Sequence, residues 1–147
     1  MGIMTKLKNF LISACLICLC IGLSACNNSE SDPDISELSP ADITEAFFSA
    51  FESSDYETMK SYCTESCIED YFHGDNVFGM IWAKAVNIEK EPVVSEYQEN
   101  KVFILVSVEM ETAKTSALYP ESETSFFVVL EEVEKDSFLI DGFVTGL

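Results

Sequence analysis

The chain has 147 residues, of which 26 are acidic and 8 basic, for a formal net charge of −18, and 48% of its residues are apolar. That length suits one domain, and that apolar content excludes wholesale disorder. The acidity excludes nucleic acid as a partner, because phosphate binding needs clustered Lys and Arg.

Taken in chain order, the first segment reads as a leader. Lys6 and Lys8 form a short positive region, and Phe10 to Leu23 carries no charge. This run falls short of the roughly 20 residues that a membrane-spanning helix needs, and it fits the apolar stretch of a secretory signal. It ends in Leu23-Ser24-Ala25-Cys26. An aliphatic residue, two small residues and a cysteine resemble the lipobox of bacterial lipoprotein precursors. The resemblance implies cleavage between Ala25 and Cys26 and acyl chains on the Cys26 thiol. It also implies a protein anchored to the cell membrane on its extracytoplasmic face, in the bacterial envelope. A plain transmembrane anchor and simple secretion are the alternatives. Two acyl chains hold firmly where one does not, since each buried methylene contributes about 0.8 kcal/mol. Losing residues 1–25 removes two of the eight basic residues and none of the acidic ones. The exported body is therefore still more acidic, and an anionic leaflet repels it.

Residues 26–38 comprise the lipidated cysteine and a polar, acidic stretch, Asn28-Ser29-Glu30-Ser31-Asp32-Pro33-Asp34, which reads as a flexible tether. A calcium loop built on Asp32 and Asp34 would need ordered acid spacing and a central glycine, and the segment has neither.

A single domain is expected over 39–147. Ser39-Pro40-Ala41-Asp42 predicts a capped helix start, with Ser39 as N-cap, Pro40 at the first helical position and Asp42 closing a capping box. Ile43, Ala46, Phe47, Ala50 and Phe51 then fall on one helical face. Ser53-Ser54-Asp55 breaks this helix and caps another, whose stripe is Tyr56, Met59, Cys63, Cys67 and Tyr71. Thr64 and Ser66 leave open whether 55–73 is one helix or two, with Gly74 as the stop. Beyond residue 80 the period becomes two. Trp82, Lys84, Val86 and Ile88 alternate with smaller or polar residues, and Pro92 marks an edge. Val102, Ile104, Val106, Val108 and Met110 share a face after a turn at 98–100. Phe126, Val128 and Leu130 alternate with Phe127, Val129 and Val133, which predicts a central strand apolar on both faces. A turn at Glu134-Lys135-Asp136 precedes a last strand through Phe138, Ile140 and Val144, with a bulge at Asp141-Gly142.

Helices followed by strands predict an α+β domain, with the N-terminal helices on one face of a curved antiparallel meander of about four strands. The element order, the helix Ile43–Phe51 followed by Ser54-Asp55-Tyr56, and the ending Phe138-Leu139-Ile140-Asp141-Gly142-Phe143 resemble the nuclear-transport-factor-2-like, or cystatin-like, superfamily. The resemblance implies a cone-shaped fold with a cavity between helices and sheet. Phe138 is a departure, since many relatives place Trp there.

Few residues carry chemistry. Cys63 and Cys67 are the cysteines left once the leader and lipobox are set aside. They admit a disulfide, a pair of packed thiols, or a redox or metal role for which His73 is the only nearby nitrogen. His73 reads as an exposed residue at a helix end. Tyr71, Phe72, Trp82 and Phe127 are candidates to line the mouth of the cone, or are simply core. Glu109, Glu111 and Asp141 fall opposite the main apolar phase and read as solvated. The sequence holds no zinc-binding histidine pair, nucleophile elbow or phosphate loop. No catalytic residue, metal ligand or cofactor is assigned. The expectation is a non-enzymatic, lipid-anchored module that binds a small apolar ligand or a protein. Isomerase- or dehydratase-like chemistry in the cone is one rival. The other is a homodimer through a sheet face bearing Phe103 and Leu105.

Overall fold

The computed structural model describes residues 35–94, 98–118 and 124–146. Residues 1–34, which hold Cys26 and the segments read above as leader and tether, lie outside them, as do residues 95–97, 119–123 and 147. The described chain begins ahead of Ser39. Ile35–Glu37 form a 3-10 turn, and Leu38 packs against the core.

Helix α1 spans Pro40–Glu52 and starts as its sequence requires. The Asp42 amide donates to Ser39 Oγ at 3.3 Å, and the Ser39 hydroxyl donates to the Asp42 carboxylate at 2.6 Å. The box satisfies backbone donors that the first turn leaves without helical partners. Ile43, Phe47, Phe48 and Phe51 are fully buried or nearly so, and each such side chain contributes about 1.5–3 kcal/mol by leaving water. Thr44, also buried, satisfies its hydroxyl by donating to the Pro40 carbonyl at 2.8 Å.

The 55–73 stretch forms two helices, α2 (Tyr56–Ser61) and α3 (Glu65–Tyr71). Asp55 caps α2 and Thr64 caps α3, each through a side-chain oxygen that accepts a backbone N–H. Cap chemistry at Thr64 prevails over the continuous apolar stripe. Gly74 is not a helix stop. It sits at φ +64 in the turn between β1 (Phe72–His73) and β2 (Asn76–Val77).

One antiparallel sheet of seven strands follows, where about four were expected. Beyond β1 and β2 come β3 (Met80–Ile88), β4 (Val93–Val94), β5 (Lys101–Thr112), β6 (Thr124–Glu134) and β7 (Ser137–Val144). The order is β1-β2-β3-β5-β6-β7, and β4 pairs with β5 where β3 has ended. The additional strands are two-residue pieces, too short for any periodic signal. The sheet curls into a half-barrel with the helices, and α1 packs against β3, β5 and β7.

The phase of β3 differs from expectation. Met80 and Ala83 are buried, whereas Val86 is 51% exposed. Register shifts between Met80 and Trp82 and between Ala85 and Asn87 turn the alternation over. The inward face of β5 and the bulge of β7 match their patterns, and in β6 Phe126, Val128, Val129 and Leu130 are buried whereas Val133 is 46% exposed. In the bulge Leu130 faces Ile140 while Val129 faces Gly142, leaving Asp141 as the extra residue. Strand β5 runs past β6 at its far end, where Glu109 to Thr112 pair with β3 alone. Among the described residues that overhang leaves one end of the curled sheet open.

Candidate functional site

A cavity of about 820 Å³ occupies this open end. Its walls come from the end of α3 (Asp70, Tyr71), the β1–β2 hairpin (His73, Asn76), the β2–β3 turn (Phe78, Gly79), the segment 115–118 after β5, and the end of β7 from Phe143 to Gly146.

The floor is aromatic. Phe78 stacks on Phe143 with ring centroids 5.3 Å apart and planes at 21°. Tyr71 stands edge-on to Phe143 at 5.4 Å and to Phe78 at 5.7 Å. Phe126 closes the cluster from below, 5.6 Å from Phe78. Tyr71 also fits against the β7 bulge. A Cβ at Gly142 would lie 3.0 Å from the Tyr71 hydroxyl, tighter than an ordinary contact.

Phe78 holds its place at a backbone cost. Val77 pairs with Met80, so Phe78 and Gly79 are the two central residues of a tight hairpin, at φ +52 and +80. Both need the left-handed region, which Gly enters freely and a bulky aromatic enters at about 1–2 kcal/mol. The turn is braced from outside. The Phe78 amide donates to the Tyr71 carbonyl at 3.0 Å, the Gly79 amide donates to Asn76 Oδ1 at 3.2 Å, and the Ala113 amide donates to the Gly79 carbonyl at 2.9 Å. A Cβ at Gly79 would come within clashing distance of Ser116 Oγ, so the rim segment seats directly on the turn. Asn76 also donates to the His73 carbonyl at 2.7 Å.

The sequence candidates divide. Tyr71 lines the cavity, while Phe72, Trp82 and Phe127 do not. Phe72 ends α3 and opens β1. The Trp82 indole N–H donates to the Glu52 carbonyl at 3.0 Å, and Lys84 pairs with the Glu52 carboxylate at 2.8 Å, so both tie the end of α1 to β3. Phe127 sits between Leu105 and Val144 in the sheet register, one position out of phase with the buried Phe126 and Val128. Phe103 is not an exposed face residue: it is only 6% exposed, between Val93 and Val129. His73 is exposed, as expected, but lies in β1 and borders the cavity. The residues that sequence reasoning passed over are Asp70, Phe78, the 115–118 rim and Phe143 to Gly146. The available signal was Asn76-Val77-Phe78-Gly79, a glycine-closed turn with an aromatic at its first central position.

Asp141 is not solvated. Its side chain is 15% exposed, and Lys101 reaches across β6 to donate to it at 2.5 Å. The Thr64 and Ser66 hydroxyls donate to its other oxygen at 2.9 and 3.0 Å. Burial pushes the Asp141 carboxyl up, but these three donors outweigh it and hold the group below its ordinary value. The same hydrogen bond to Asp141 holds Lys101 above its ordinary value, against a smaller effect of burial.

Cys63 and Cys67 are both buried and free. A hydrogen bond with Cys67, burial, and the charge of Cys67 all push the Cys63 thiol well above the ordinary range. The Cys63 thiol also donates to the Met59 carbonyl at 3.4 Å. Among the described residues no group of three or more His, Cys, Asp or Glu is placed to hold a metal, and no helix is long and apolar enough to cross a membrane.

Comparison with protein-family models, with curated proteins and with solved structures finds no match to this chain.

Proposed function

We propose that the chain is a lipid-anchored extracytoplasmic protein whose domain binds a small, largely apolar ligand in the cavity at the open end of the half-barrel. The observation that carries the binding role is the cavity itself: about 820 Å³ over a floor of Tyr71, Phe78 and Phe143. A concave surface that joins an aromatic floor to polar wall residues such as Asp70, His73, Asn76 and Thr145 can hold and orient a small molecule. The strained placement of Phe78 supports the same role, because backbone strain gathers where a ring must be presented to a ligand. The envelope address is supported by Leu23-Ser24-Ala25-Cys26 alone. The curled sheet behind N-terminal helices, with its cavity at one end, supports a nuclear-transport-factor-2-like assignment.

Phenylnaphthylamine, a neutral apolar probe that fluoresces when it leaves water, tests the cavity. It is expected to bind the domain saturably. Thr145→Trp places a bulky ring from an exposed wall position into the space and is expected to abolish binding without loss of fold. Equal binding by the variant counts against the cavity. The address is tested by Cys26→Ala, which is expected to shift the protein out of the membrane fraction.

A further inference from the structure

We infer that the cavity selects an amphiphilic cation, a flat apolar body with a positively charged end, over neutral and anionic ligands of the same shape. This rests on the reading of the cavity as a ligand site. Shape and charge point to that class separately.

The floor fixes the body. Tyr71 and Phe78, half-buried and packed on the buried Phe143, present ring surface and no charge, which suits a planar apolar group through area and ring–ring contact. Two of the hydrogen-bonding side chains around the floor are already engaged. Asn76 serves the His73 carbonyl and the Gly79 amide, and Ser116 Oγ accepts from the Leu118 amide at 3.1 Å.

The rim fixes the sign. Among the described residues no lysine or arginine lines the cavity. Lys114, one residue before Thr115, is exposed and is not part of the wall. Asp70 is exposed at the mouth. It lies with Glu69 in the last turn of α3, which holds no basic residue. Carbonyl ends of a helix favour cations, so acids there are placed against the local field. A positively charged ligand end beside Asp70 would offset both. The body as a whole adds to this, with 26 acids against 8 bases in the chain, and such a field concentrates cations and repels anions at a cleft. Among the described wall residues His73 is the one basic side chain.

The test compares three tricyclic probes of one shape at physiological salt: protonated aminoacridine, neutral anthracenemethanol and anionic anthracenecarboxylate. Each is titrated into Pro33–Leu147, a compact unit with its own core. The cation is expected to bind about tenfold more tightly than the anion, with the neutral probe between them. Asp70→Asn is expected to weaken the cation about threefold, within the range for one solvent-exposed charge, and to leave the neutral probe unchanged. Thr145→Trp is expected to weaken all three, which separates cavity binding from adsorption to the acidic surface. Binding of the neutral probe with no preference for the cation, or a preference untouched by Asp70→Asn, overturns this inference and leaves the cavity reading standing. No binding of any probe, or binding that Thr145→Trp does not reduce, overturns both.

Discussion

Helix α3 joins two regions built on opposite terms. At its N-terminal end, Thr64 caps the helix, and Thr64, Ser66 and Lys101 all converge on Asp141. The Tyr62–Thr64 segment there closes the edge of β7, with the Ile140 amide donating to Tyr62 and the Ile140 carbonyl accepting from Thr64, both at 2.8 Å. At its C-terminal end, Glu69 and Asp70 face the helix dipole with no basic partner in the last turn. Phe78 is bent into the left-handed region there, and the wall opens onto a cavity. One end spends its polar groups on holding the fold. The other leaves them at a rim. A fold that stays cooperative while carrying strain and unpaired charge at one end needs the offsetting contacts elsewhere, and in this chain they stand at the far end of the same helix.

The largest expected effect is at the ring under the open end. Phe143 is 2% exposed and touches Phe47, Tyr71, Phe78 and Phe126. Phe143→Ala should cost about 3–5 kcal/mol of unfolding free energy by denaturant titration and remove probe binding as well. A loss below about 1 kcal/mol would mean that the aromatic cluster is loosely packed and the cavity floor is not fixed.

The next effect belongs to the locked end. Asp141→Ala leaves Lys101 partly buried without its partner and should cost about 2 kcal/mol. Its pH signature is specific. The folded Asp141 carboxyl lies below its ordinary value, so its contribution is present above about pH 4 and is lost as pH falls through the lowered folded value. Lys101 is held above its ordinary value, so its share is present below about pH 10 and is lost as pH rises through the raised folded value. The wild type should therefore lose a component of stability on acidification that Asp141→Ala never had, while both bind the neutral probe equally. Loss of probe binding in Asp141→Ala would show that the two ends are coupled.

These two regions were unequally legible in the sequence. The Ser39 cap, the α1 stripe, the inward face of β5 and the β7 bulge all follow from local patterns, which the structure keeps because each is set by neighbours within a turn or a strand. Asp141 was misread because period-two logic places it outward, and its partners Lys101, Thr64 and Ser66 lie 40, 77 and 75 positions away. Trp82 was misread because its indole serves a helix end 30 positions earlier. Most of the cavity's lining, Tyr71 apart, was missed for a different reason. Its wall comes from the ends of five elements, and no periodic signal extends past an element's end. Phe78 hid in a turn where Asn or Gly is the customary choice.

That choice gives a sharper test of strain at the open end. Phe78→Ala and Phe78→Gly delete the same ring, so the loss of stacking on Phe143 and Tyr71 is common to both. They differ in backbone preference at φ +52. In ordinary helix or strand positions Gly is the less stable of the two by about 0.5–1 kcal/mol. Here the order should reverse, with Phe78→Gly more stable than Phe78→Ala by about 1 kcal/mol. Neither should hold the planar probes well, because the ring that forms the floor is gone. If Ala proves the more stable, the left-handed turn is not maintained without the ring, and Phe78 bends the backbone rather than submitting to it.

The smallest effect separates the two donors at the locked end. Ser66 and Thr64 give hydroxyl hydrogen bonds of nearly equal length to the same Asp141 oxygen. Only Thr64 also accepts the Cys67 amide, at 3.1 Å, as the α3 cap. Ser66→Ala should therefore cost about 0.5 kcal/mol, near the bottom of the range for one hydrogen bond at an exposed position. Thr64→Ala should cost about twice that, because cap and carboxylate are lost together. In the Asp141→Ala background, Ser66→Ala should lose only its 3.0 Å hydrogen bond to the Thr64 hydroxyl, whereas Thr64→Ala should lose its capping share as well. Equal residual costs would mean that the cap contributes little and that Asp141 alone orders the start of α3.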